Sequence, residues 1–69
     1  MVANKTLLQR KYSRVIEAFA KEKGVPLREA MDLFYKSLTY IEMREGISDM
    51  HCRSDGYLAE ELCEEYSMP

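Results

Sequence analysis

Apolar residues recur along this chain at a helical period, and two glycines cut the pattern into three parts. Leu8, Tyr12, Val15, Ile16 and Phe19 fall on one stripe, while Gln9, Arg10, Ser13, Arg14, Glu17 and Lys21 face away. Lys21 and Lys23 stand in the last turn and Gly24 follows, the mark of a helix C-terminus. The spacing predicts helix 1 over 4–23, capped by Asn4 or Thr6.

The second segment predicts one helix over 27–45. Pro26 presets φ at its start, Glu29 suits its N-terminus, and Gly46 follows Arg44 and Glu45. Leu27, Ala30, Met31, Phe34, Leu38 and Ile41 form the stripe expected to be buried. Leu33, Tyr40 and Met43 lie outside that stripe, with Tyr35 on its flank. So wide an apolar girdle suits a central helix touched on two sides within its own chain. It equally suits a helix that packs once inside the chain and once against a partner. Residues 47–53 read as a turn-like connector around Ser48-Asp49, with Ile47 and Met50 docking it. Ser54 then caps helix 3 over 55–66, and Gly56 weakens its first turn. Leu58, Leu62 and Tyr66, with Ala59 and Cys63 beside them, face inward; Glu60, Glu61, Glu64 and Glu65 make an acidic outer face. The expectation is an all-α fold: a compact three-helix domain with helix 2 central, and one domain over 1–69.

The chain has 69 residues, so only one thin core is possible. Domains of this size usually need a staple. Cys52 and Cys63 make neither a disulfide framework nor a metal cage, which leaves oligomerisation or tight helix packing. No apolar run approaches the length of a membrane span, and Met1 to Arg10 carries no signal-like apolar stretch; a cytoplasmic protein off the membrane is expected. Charge is uneven: residues 1–36 carry a net +4 and residues 37–69 a net −6. Such asymmetry means either that the two ends neutralise each other in the fold or that a charged partner is met.

Four strings taken together point to relatives: Leu8-Gln9-Arg10-Lys11-Tyr12, Asp32-Leu33-Phe34-Tyr35-Lys36-Ser37, Glu45-Gly46-Ile47-Ser48-Asp49-Met50-His51-Cys52, and Ser54-Asp55-Gly56-Tyr57-Leu58-Ala59-Glu60-Glu61-Leu62. Over residues 7–66 the chain resembles a family of small bacterial proteins of unknown function from gut anaerobes. Gly56 departs from the family pattern, where a helix-favouring residue is usual. The resemblance implies genes lying beside other small proteins, in arrangements like toxin–antitoxin or mobile-element cassettes. It thus implies a protein-binding or regulatory role, and it supplies no catalytic residue.

No residue set in the sequence demands catalysis. His51 and Cys52 are adjacent, a poor geometry for a base and its nucleophile, and the four ligands of a zinc site are not found at short paired spacings. The acids Asp49, Asp55, Glu60, Glu61, Glu64 and Glu65 read as a solvated face rather than catalytic carboxylates or a calcium loop. A non-enzymatic protein-interaction module is therefore expected, with no cofactor or metal. Its partner would be a second copy or a co-encoded protein, bound through Leu33, Tyr40 and Met43. The alternative is a nucleic-acid-binding regulator using Lys5, Arg10, Lys11 and Arg14, against which stands a sequence pI of about 5.3.

Overall fold

The computed structural model of the chain describes residues 5–67, with side chains from residue 7 onward. Among the described residues every element is helical: α1 (Lys5–Lys23), α2 (Leu27–Tyr35), α3 (Leu38–Glu45), a 3-10 connector (Ile47–Cys52) and α4 (Asp55–Tyr66). Asn4 and the Thr6 side chain, the expected caps of α1, lie outside what is described. The all-α class holds, but the expected three helices do not, because the segment 27–45 is two helices and not one.

The ends of α1 and α4 follow from local chemistry. Gly24 takes φ of 75°, in the left-handed region, and Ala20 O accepts both Gly24 N–H (2.8 Å) and Val25 N–H (3.1 Å). Both bonds go to one of the carbonyls that a helix end leaves open. Gly46 closes α3 in the same conformation, at φ of 71°. Ser54 caps α4 as expected, its Oγ accepting Tyr57 N–H at 3.1 Å. In the connector, Ser48 and Asp49 also take left-handed φ, of 52° and 55°, and bend the chain. Met50 is buried there, whereas Ile47 stays exposed and does not dock.

The break falls at Ser37. Lys36 closes α2, and Ser37 is extended, with φ of −83° and ψ of 156°. Its hydroxyl is fully buried, donates to Phe34 O at 2.6 Å and accepts Tyr40 N–H at 3.0 Å. Glu65, from the far end of α4, completes the cap: its carboxylate accepts Leu38 N–H at 2.7 Å, Thr39 N–H at 3.3 Å and the Thr39 hydroxyl at 3.0 Å. Ser37 O takes Ile41 N–H at 3.5 Å, so all four amides that open α3 have acceptors. The neighbouring Tyr66 hydroxyl donates to Leu33 O at 2.6 Å, on the closing turn of α2. The last turn of α4 therefore holds both sides of the break. The expectation that Glu65 lies on a solvated outer face is corrected: the α3 N-terminus draws it in.

The most extensive packing between elements is α1 with α4, and α1 also packs along α2. The central element is thus α1, not the expected helix 2. Val15, Phe19, Ala30, Phe34, Leu58, Ala59 and Leu62 are wholly buried, with Met43 nearly so. Each large side chain among them contributes roughly 1.5–3 kcal/mol by leaving water.

Removing the Ser37 hydroxyl takes the acceptor from the part-buried Tyr40 amide and one of two donors from the buried Phe34 carbonyl, which keeps Ser37 N–H at 3.0 Å. Ser37→Ala and Glu65→Ala are each expected to cost about 1–2 kcal/mol in urea unfolding, and their sum to exceed the cost of the double variant. A change below about 0.5 kcal/mol in both single variants would show that the junction contributes no more than an ordinary surface position.

Candidate interaction surface

The break at Ser37 shifts the phase of the apolar pattern and exchanges its two sides. Of the six residues expected to be buried, only Ala30 and Phe34 are. Leu27 is 51 % exposed, Met31 45 %, Leu38 60 % and Ile41 40 %, and Tyr35 beside them is 48 % exposed. These five present apolar surface to water, as do Leu7, Ile47 and Tyr57 on other elements. Two separate helices, each with its own register, turn different faces inward; a single helix over 27–45 would have kept one face throughout.

Leu33, Tyr40 and Met43, expected to face a partner, instead line the interior. Met43 is 1 % exposed, and Leu33 and Tyr40 are half-buried against the core. The Tyr40 ring closes an aromatic cluster, with ring centroids 5.3 Å from Tyr12, 5.3 Å from Phe34 and 4.9 Å from Tyr35. The Arg44 guanidinium lies 5.4 Å from the Tyr40 centroid and covers the ring from outside. Three tyrosines thus pack around Phe34: Tyr35 edge-on, Tyr12 and Tyr40 tilted.

On α2 the exposed apolar positions recur every fourth residue, at Leu27, Met31 and Tyr35, and so form one stripe. Pro26, Arg28, Glu29, Asp32 and Tyr35 surround Met31 in a shallow, open depression. Asp32 is held by Lys36 at 3.1 Å, one turn on. Arg28 forms no ion pair among the described residues. The sequence carried a signal for this surface, since all three apolar residues were visible, but a continuous helix 2 assigned Leu27 and Met31 to the core and left Tyr35 on its flank.

The basic residues of the alternative reading are placed as follows. Lys11 Nζ lies 2.8 Å from Asp55 Oδ1, and Arg14 Nε lies 2.9 Å from Asp55 Oδ2. These two cations of α1 are thereby engaged by the first residue of α4. Arg10 is exposed and makes no ion pair among the described residues, and the Lys5 side chain lies outside them. A phosphate would have to compete with Asp55 for two of the four expected cations. Part of the charge asymmetry between the two ends is thus neutralised within the chain.

His51 is half-buried and Cys52 exposed. The His51 ring packs beside Gly46, where a Cβ would stand 3.7 Å from His51 Cε1. Among the described residues no three His, Cys, Asp or Glu side chains converge as a metal site would need. Burial pushes the Cys63 thiol up, and its contact with Glu22 Oε2 at 3.6 Å adds to that. A thiol so placed is a poor nucleophile, because the thiolate is the reactive form.

The Lys11 ammonium, opposed by partial burial and helped by Arg14, holds the Asp55 carboxyl below its ordinary value. A depressed folded value adds stability above the ordinary carboxylate range, and that stability is lost as pH falls through the folded value. Because Asp55 is about a third exposed, the gain is discounted to under about 1 kcal/mol. Asp55→Asn is expected to melt a few degrees below the parent chain at neutral pH, with the gap closing below about pH 4. A gap of unchanged size at about pH 2.5 would contradict the pairing.

No helix among the described residues is long and apolar enough to cross a membrane. Comparison with protein-family models, with curated proteins and with solved structures finds no match for this chain, so the family resemblance rests on the four strings alone.

Proposed function

We propose that this chain is a non-enzymatic protein-interaction module that binds a second copy or a co-encoded protein through the outward side of α2 and α3. One observation carries the reading: five large apolar side chains, Leu27, Met31, Tyr35, Leu38 and Ile41, are each at least 40 % exposed on two short consecutive helices. Scattered exposed hydrophobes need no explanation, but a periodic set on one helix face does. Methionine and tyrosine are enriched where proteins meet, and the mixed charges of Arg28, Glu29, Asp32 and Lys36 around them make a polar rim. The resemblance to small bacterial proteins encoded beside other small proteins agrees with this reading. The engagement of Lys11 and Arg14 by Asp55 counts against the nucleic-acid alternative.

The test uses the tagged full chain and a Leu27→Glu/Met31→Glu variant, whose circular dichroism is expected to match the parent. The parent chain should be recovered from its cells with a stoichiometric protein partner or as an oligomer, insensitive to nuclease. The variant should lose that association at least about tenfold. An unchanged mass and unchanged partners in the variant would refute the reading, and nuclease-sensitive recovery would return the basic face of α1 to first place.

A further inference from the structure

We propose that the α2 stripe is self-complementary and docks on a second copy of this chain, the two α2 helices running antiparallel about a two-fold axis at Met31. This rests on the interaction-module reading and names its partner. In an antiparallel helix pair the numbers of facing residues have a constant sum. Setting Met31 against its own copy makes that constant place Leu27 opposite the partner's Tyr35, and the reverse. All three exposed apolar positions of α2 are then covered by one another, and none faces water or a charge. An isologous contact requires this property, because one patch must serve as both halves. The stripe has it because Leu27 and Tyr35 stand four residues to either side of Met31.

The charges select the same arrangement. At about 100° per residue, Arg28 and Asp32 lie on the same flank of the stripe. In the antiparallel pair that flank meets its own copy. Arg28 then stands about 3 Å along the axis from the partner's Asp32, within easy reach of a guanidinium. Each Asp32 would sit between Lys36 of its own chain, already 3.1 Å away, and the partner's Arg28. Arg28, without an ion pair among the described residues, gains its counter-charge. A parallel two-fold pairing would instead turn that flank toward the partner's opposite flank, where Ala30 and Phe34 lie, so neither Arg28 nor Asp32 would find a counter-charge across it. The acidic side chains Glu60 and Glu64 belong to α4, not to this helix, and so do not stand in the stripe. Pairing also answers the size of the chain, whose single thin core gains a further buried apolar layer.

The experiment is sedimentation equilibrium on the full chain, with Arg28→Glu, Asp32→Arg and the double variant beside it. Both positions are exposed, so each variant is expected to fold, with circular dichroism as the check. Either single reversal sets like charges together at two symmetric places and should weaken the dimer about tenfold. The double variant restores opposite charges across the axis and should recover to within about threefold of the parent. A Met31→Cys chain in a Cys52→Ser/Cys63→Ser background should oxidise to a covalent dimer, since Met31 meets itself on the axis. Failure of the double variant to recover, or absence of the crosslink, would overturn the antiparallel register. A parent chain that stays monomeric at about 100 µM, well above the dissociation constants of specific dimers, would overturn self-docking outright. In that case, loss of another protein partner in the Leu27→Glu/Met31→Glu variant would leave the interaction-module reading standing, and retention of it would remove both.

Discussion

The junction at Ser37 governs the rest of the molecule, because it brings the open backbone groups of two helix ends to one place and must satisfy them. A helix start exposes amides and a helix stop exposes carbonyls, and here they run from the buried Phe34 carbonyl through part-buried amides to the exposed Leu38 amide. Leaving a buried one among them without a partner would cost about 1–3 kcal/mol, a large share of the stability a chain this size can have. Ser37 answers for one amide and one carbonyl with a single hydroxyl. Glu65 answers for two more amides, and its negative charge also lies at the positive end of the α3 dipole. Tyr66 reaches the other side of the break. The C-terminal turn of α4 is therefore pinned to the middle of the chain by polar contacts as well as by Leu58 and Leu62.

That constraint decides which residues are left for a partner. Had the helix run on through Ser37, Leu38 and Ile41 would have continued the buried stripe of Ala30 and Phe34. The break resets the register, so Thr39, Tyr40 and Met43 turn inward and Leu38 and Ile41 turn out. On α2 the long α1 covers Ala30 and Phe34 but not Leu27, Met31 and Tyr35. The apolar surface offered to solvent is thus a by-product of where the chain bends. Its local symmetry about Met31 is what suits it to a second copy.

How much of this was legible depended on whether a feature was local. Gly24, Gly46 and Ser54 announced their helix ends because glycine in the left-handed region and serine at an N-cap act through their own backbone. The stripes of helix 1 and helix 3 matched the buried faces of α1 and α4 because neither helix is interrupted. Ser37 was invisible as a stop. It sits in an apolar-periodic run without proline or glycine, and its capping becomes worthwhile only when Glu65, 28 positions later, comes to share it. The misreading of Leu33, Tyr40 and Met43 as surface followed from that one missed break. A clue was present in the two apolar phases within 27–45, which one continuous helix buries together only when it is covered on two sides. The pairing of Lys11 and Arg14 with Asp55 was likewise nonlocal, and only the opposite charges of the two chain halves hinted at it.

The central claim is that the chain leaves the helical conformation at Ser37 and that α4 caps the new helix start. Backbone chemical shifts and nuclear Overhauser contacts test it most directly. The account predicts extended-backbone carbon shifts at Ser37, helical shifts on both sides, and close contacts from the Glu65 side chain to the Leu38 and Thr39 amides. Helical shifts running unbroken from Leu27 to Glu45, with no contact between Glu65 and those amides, would contradict it.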